Sequence, residues 1–150
     1  MRAVIQRVDE ASVTIGDRRH AAIGRGLLIL FAVEEADGPE DVEWLAGKIA
    51  RLRIFPDDAG LMNRDVGEIG GDLLVVSQFT LYGSTRKGNR PSFIRSARPA
   101  QAIPIYEGFL RKLAELAGRP VATGEFGAMM KVGLVNDGPV TLIIDTRLRE

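Results

Sequence analysis

The sequence contains no cysteine and a single histidine, His20. The first absence excludes disulfides, a thiolate nucleophile and any cysteine-ligated zinc site. The second excludes a histidine-rich metal centre, so no metal site is expected. A Ser-His-Asp arrangement would have to use His20, which falls in Asp17-Arg18-Arg19-His20, the expected tip of a hairpin, where a solvated turn histidine is the plainer role. There is no Gly-x-Ser-x-Gly elbow, no Walker A loop and no complete Gly-x-Gly-x-x-Gly, since Gly24-Arg25-Gly26 lacks the third glycine. No cofactor is expected. No apolar run nears the roughly 18–20 residues of a membrane span, so no membrane partner is expected. The alternating start, Met1-Arg2-Ala3-Val4-Ile5-Gln6-Arg7, is unlike a signal peptide, and the expected location is cytoplasmic. Any chemistry must rest on hydroxyls, amides, backbone groups or the substrate itself.

What remains is an ordinary globular composition, 45% hydrophobic and 27% charged. The 150 residues suit one domain, 1–150. Twenty basic residues balance twenty acidic ones, which argues against a broad nonspecific nucleic-acid binder. The charge is unevenly placed. No Asp or Glu lies between Asp72 and Glu107, whereas Arg86, Lys87, Arg90, Arg95 and Arg98 do. These cations are either a solvated surface or contacts for a phosphate-bearing substrate.

Alternation predicts a strand over Arg2 to Ile15, a turn at Gly16-Asp17 and a second strand leading to Gly24. The apolar run Leu27 to Val33 predicts a strand buried on both faces. Asp37 is placed to cap a helix with Pro39 in its first turn and a core stripe of Val42, Leu45, Ile49 and Leu52. Pro99 opens a looser lead-in to a second helix, regular from about Pro104, with Ile103, Tyr106, Leu110, Leu113 and Ala117 as its stripe and Gly118 closing it. Ala128 to Val135 and Val140 to Asp145 are expected strands joined by a tight turn at Asn136-Asp137-Gly138-Pro139. Strands dominate and hairpin-type turns join most of them. The fold class is therefore α+β, a curved, mostly antiparallel or barrel-like sheet carrying two helices.

Two segments stand out. In Val75 to Gly83 an apolar strand abruptly presents Ser77, Gln78 and Thr80 among large apolar neighbours. If the strand persisted, Gln78 and Thr80 would share one face and Ser77, Phe79 and Leu81 the other. Such polar groups are either satisfied at a strand end or meet a ligand. In Asn136-Asp137-Gly138-Pro139-Val140-Thr141, Gly138-Pro139 is either part of a plain turn or a rigid backbone device whose carbonyls receive an ammonium group.

Together these two segments resemble the D-aminoacyl-tRNA deacylases, homodimeric proofreading esterases. The likeness extends through Ile5-Gln6-Arg7-Val8, Ala11-Ser12-Val13, Gly26-Leu27-Leu28, Arg53-Ile54-Phe55, Arg90-Pro91-Ser92-Phe93 and Gly133-Leu134-Val135. It implies hydrolysis of the ester between a D-amino acid and the terminal adenosine of tRNA, with glycine on mischarged tRNA as a further substrate of some members. It also implies that Gly138 and Pro139, joined by a cis bond, enter the partner subunit's site, bind the substrate amino group through main-chain carbonyls and collide with an L side chain. Phe79 and Thr80 would supply oxyanion-binding N–H groups, Ser77 and Gln78 would line the pocket, and Arg7 would brace the Gly-Pro loop. Phe126 and Met130 would flank the adenine; on the sequence alone both are simply core residues. Met129 departs from the acidic residue that often precedes Met130 in the family.

Two mechanisms compete. Thr80 could attack as a nucleophile, although no base is visible to activate it. Alternatively the protein supplies shape and backbone dipoles while the 2′-hydroxyl of the RNA helps activate water, which the lack of histidine and cysteine favours. Two other functions stay open, a noncatalytic tRNA or nucleic-acid binding module and a sister editing deacylase with a trans Gly-Pro bond and relaxed chirality.

Overall fold

A computed structural model describes residues 1–149. The chain runs β1 (Arg2–Ile15), β2 (Arg18–Ile23), β3 (Gly26–Ala32), α1 (Pro39–Ala50), β4 (Phe55–Pro56), β5 (Met62–Arg64), β6 (Asp72–Ser77), a 3-10 turn (Phe79–Tyr82), α2 (Pro99–Ala117), β7 (Ala122–Thr123) and β8 (Lys131–Asp145). Six strands form one sheet in the order β2-β1-β3-β6-β7, with β8 also paired to β1; β4 and β5 make a separate small ribbon. The long β1 pairs antiparallel with β2, β3 and β8, whereas β3–β6 and β6–β7 are parallel. β2 curls toward β6 and β7, so the sheet becomes a nearly closed barrel. Neither helix is long and apolar enough to cross a membrane.

The two helices pack on each other and cover one face of the sheet. Beneath them lies the larger core, in which Ile5, Ile29, Val75, Leu45, Ile49, Phe109 and Leu113 meet. A smaller cluster of Val8, Val13, Leu28, Leu74 and Val76 fills the barrel side. β3 is buried along almost its whole length, as its apolar run predicts. Its entry requires glycine, because a Cβ on Gly26 would stand 1.9 Å from the Asp72 carbonyl oxygen of the parallel neighbour.

Four details differ from the sequence expectations. Gly38, not Asp37, caps α1, with the Asp41 carboxylate accepting the Gly38 N–H at 3.0 Å. Asp37 is instead fully buried against the Met1 ammonium, 2.6 Å away, which also donates to Thr146 Oγ1 at 2.6 Å. Helix α2 is regular from Pro99 onward despite Pro104. Ala100 and Pro104 are both exposed, so water can satisfy the carbonyl freed by the missing N–H. Its buried stripe is Ala102, Tyr106, Phe109 and Leu113, with Ile103 and Leu110 only half-buried. His20 lies exposed within β2, past the turn.

The fourth difference concerns residues 136–139, which do not reverse the chain. β8 continues through them, and both of its arms run antiparallel to β1, Val135 and Asn136 opposite Glu10 and Val8 and Thr141 opposite Gln6. Asp137 to Val140 are therefore a bulge, the extra residues of an interrupted ladder opposite Arg7, with Gly138 and Pro139 exposed and Val140 buried in the core. The Asn136 amide closes the base of the bulge, donating to the carbonyl oxygens of Arg7 and Val140, each at 3.0 Å.

Candidate active site

β6 ends at Ser77. Gln78 N–H donates to the Phe31 carbonyl at 2.7 Å, and the chain then tightens into the 3-10 turn, so the strand does not persist and the conditional alternation of residues 77–81 does not apply. This break turns Ser77, Gln78, Phe79 and Thr80 into the wall of a pocket of about 400 Å³. Phe126, Met129 and Met130 line it from the segment that leads into β8. Six of the nine sequence-derived site residues thus share one cavity: Ser77, Gln78, Phe79, Thr80, Phe126 and Met130.

None of the pocket's lining residues is ionisable. Its polar equipment is the Ser77 and Thr80 hydroxyls, the Gln78 amide and backbone. Gln78 Nε2 donates to Thr80 Oγ1, which engages one amide hydrogen and a hydroxyl lone pair. At the start of the 3-10 turn, the N–H groups of Phe79 and Thr80 find no backbone acceptor among the described residues, as expected of the first donors of a helical turn. Both residues are exposed to the pocket mouth. Two adjacent unengaged donors can hold an oxyanion when a reacting carbonyl lies before them. No group of three or more His, Cys, Asp or Glu able to hold a metal occurs among the described residues.

The pocket floor is an outgrowth of the core. Phe109 stacks on Phe31 at 4.3 Å, Phe31 leans on Tyr106 at 5.9 Å, and Tyr106 leans on Phe126 at 5.8 Å. Tyr106 Oη donates to the Val75 carbonyl at 3.2 Å, and burial pushes its hydroxyl up to about 12, so it stays protonated there. No linear signal marks the part of the wall to which Phe31, Ala32 and Val33 contribute together with Ala97 and Ala102. Parallel pairing of Phe31 with Ser77 brings the first three in; the two alanines contribute space by their small size.

Arg7, Gly138 and Pro139 form a second group, outside the lining of this pocket. Arg7 is buried, with Nη1 donating to the Ile54 carbonyl at 2.6 Å and Nε 2.9 Å from Asp137 Oδ2. It therefore holds the bulge by its flank. Gly138 has φ +122°, a conformation open to glycine, and a Cβ there would stand 2.9 Å from both Arg7 Nη2 and Val140 Cγ2. The Gly138-Pro139 bond is cis, and both residues are exposed. Arg7 sits opposite Leu27 on β3, whereas the pocket begins at Phe31. Four residues of strand separate the two groups by about 13 Å.

The sequence matches the D-Tyr-tRNA(Tyr) deacylase family over residues 4–145. The chain belongs to that family. D-aminoacyl-tRNA deacylases of Opitutus terrae and Akkermansia muciniphila are each 61% identical to it over the full length of both chains. A solved structure named c-Myc DNA Unwinding Element Binding Protein is 38% identical and superposes with a TM-score of 0.91 over 97% of this chain and 99% of that one. A probable eukaryotic D-amino acid tRNA deacylase, 20% identical, shares the fold with a TM-score of 0.78 over 95% and 97%. As a member of the deacylase family, the chain is a hydrolase that acts on an ester bond. Met129, which lines the pocket, is 91% exposed.

Proposed function

We propose that this protein works in the cytoplasm as a homodimer, a single domain over residues 1–150 in each copy, hydrolysing the ester between a D-amino acid and the terminal adenosine of tRNA. The reading is carried by one observation. The pocket pairs two unengaged N–H groups, at Phe79 and Thr80, with a lining that holds no acid, base or thiol. An ester is already activated, so a site of this kind suffices if it stabilises the tetrahedral oxyanion, to which one backbone donor contributes about 3 kcal/mol.

The amino group needs a receptor that the pocket lacks. Gly138 and Pro139 of a second copy supply it, their main-chain carbonyls accepting the substrate ammonium while the backbone fills the space an L side chain would take. Their exposed position on the bulge suits this role, as do the uncovered apolar side chains of Leu134 and Val135 just before it. Ser77 and Gln78 line the acyl side, Phe126 and Met130 flank the adenine, and Arg7 fixes the bulge. Water attacks the ester carbonyl while the 2′-hydroxyl of the RNA relays the proton the water loses, the carbonyl oxygen becomes the oxyanion, and its collapse expels the ribose oxygen, which takes up that proton. Glycine has no side chain to exclude, so a glycyl ester passes the same filter.

The decisive experiment compares hydrolysis of D-tyrosyl- and L-tyrosyl-tRNA by the purified protein. Rapid cleavage of the D ester with the L ester spared is expected. Equal cleavage of both would replace this reading with that of a chirality-blind editing deacylase. A second reading, a noncatalytic nucleic-acid module, draws on the exposed basic loop after the pocket and on the name of the 38% identical relative. Binding of D-tyrosyl-tRNA without release of tyrosine would favour it.

A further inference from the structure

The cations between Asp72 and Glu107 do not act alike. Arg95 is committed to the fold, with Nη2 2.8 Å from Glu34 Oε2 and the guanidinium 5.2 Å from the centre of the Tyr82 ring. Around it the loop is rooted in the pocket wall. Phe93 meets Phe79 edge-on at 5.1 Å, Ser96 Oγ donates to the Phe79 carbonyl at 2.9 Å, and Ala97 N–H donates to the Val33 carbonyl at 2.9 Å. Phe79, Val33 and Ala97 all line the cavity. Further out, Ser84 and Ser92 exchange backbone hydrogen bonds of 2.8 and 2.9 Å and close a loop. Inside that closure Arg86, Lys87 and Arg90 are exposed and make no ion pair among the described residues. The result is an arm with a fixed foot at the pocket and three uncommitted cations at its tip.

We propose that the Ser84–Ser92 arm carries the RNA backbone, Arg86, Lys87 and Arg90 pairing with phosphodiesters of the single strand that precedes the terminal adenosine. The inference rests on the deacylase reading above. A substrate whose reacting end is a terminal nucleoside leaves the pocket as a polyanion, and these three unpaired cations stand together on an arm rooted in the pocket's own wall, with exposed Arg98 at its foot. The tip, Arg86-Lys87-Gly88-Asn89-Arg90, has no aromatic side chain on which a base could stack. Contact there is through charge, so it positions the strand without reading its sequence.

The test combines R86A, K87A and R90A in one variant and gives it two substrates, D-tyrosyl-tRNA and the D-tyrosyl ester of adenosine, which has no phosphate. On the tRNA, kcat/KM falls and its salt dependence flattens. Three lost single-strand phosphate contacts mean that, between about 50 and 200 mM salt, the wild type loses about 20-fold more than the variant. Cleavage of the adenosine ester is unchanged. Equal losses on both substrates would overturn the proposal by making the arm a support of the pocket. Unchanged kinetics and salt slope on both would make the tip plain solvated surface. If the wild type cleaved neither ester, the deacylase reading itself would fall. The salt dependence of tRNA binding by the two proteins would then decide the arm on its own, an equal slope refuting it.

Discussion

Arg7 Nε lies 2.9 Å from Asp137 Oδ2, so a buried guanidinium on β1 holds the residue immediately before Gly138-Pro139 on β8. The same side chain reaches the Ile54 carbonyl at 2.6 Å and thereby spans three parts of the chain. Arg7→Ala should lower the unfolding free energy by about 2–3 kcal/mol, measured by urea titration, because it leaves Asp137 and a carbonyl unpartnered. Arg7→Lys keeps the charge but not the fork, and should lower the D over L preference more than it lowers stability. Unaltered chirality in both variants would disconnect the brace from specificity.

Thr80→Ala should keep activity within about tenfold, since the hydroxyl is held by Gln78 Nε2 and has no base beside it. Loss of a true nucleophile costs on the order of 10⁴-fold or more, and single-turnover rates separate the two cases. A D-tyrosyl ester ending in 2′-deoxyadenosine should be a poor substrate for the same protein. Normal turnover on it would refute assistance by the RNA.

Between about pH 5.5 and 8, where histidine titrates, kcat should show no inflection that belongs to the protein. The pocket contributes no ionisable side chain. Any inflection should move when the amino acid of the substrate is changed and stay put when the protein is mutated. A bell-shaped profile insensitive to substrate would reveal a hidden acid or base.

How much of this was legible beforehand differs from element to element. β1 and β3 follow from local patterning, and Gly118 closes α2 in the left-handed conformation its position predicts, with φ 65°. Asp37 misleads as a cap because its partner is the ammonium of Met1, which no local rule connects to it. The Asn136–Pro139 turn misleads for a similar reason. Asx-Gly-Pro chemistry fits a reversal, yet both flanking arms have the same partner, β1. In the site, Ser77 to Thr80 and the pair Phe126 and Met130 do converge. The alanines that make room for a ligand are invisible in sequence, since small size carries no pattern.

Acid should weaken the fold from about pH 4 downward. Burial works against the ionised forms of Asp41 and Asp145. The Gly38 N–H and Thr146 beside Asp41, the Arg147 N–H and Arg2 beside Asp145, outweigh it and depress both carboxyls. A depressed group stabilises the fold above its unfolded value of about 3.9 and loses that contribution as pH falls through its lower folded value. Thermal melts of Asp145→Asn should start lower at neutral pH and converge on the wild type once the pH has fallen through the depressed folded value. Parallel curves down to that pH would assign acid sensitivity elsewhere.

The aromatic chain from Phe109 through Phe31 and Tyr106 to Phe126 makes the ligand chamber a continuation of the molecule's interior. On the proposed reading, drift in an interior side chain that never touches the substrate would tilt the surface offered to the adenine. Thermal robustness and nucleoside fit are therefore bound to evolve together, and a stabilised descendant engineered at Phe109 would inherit an altered grip.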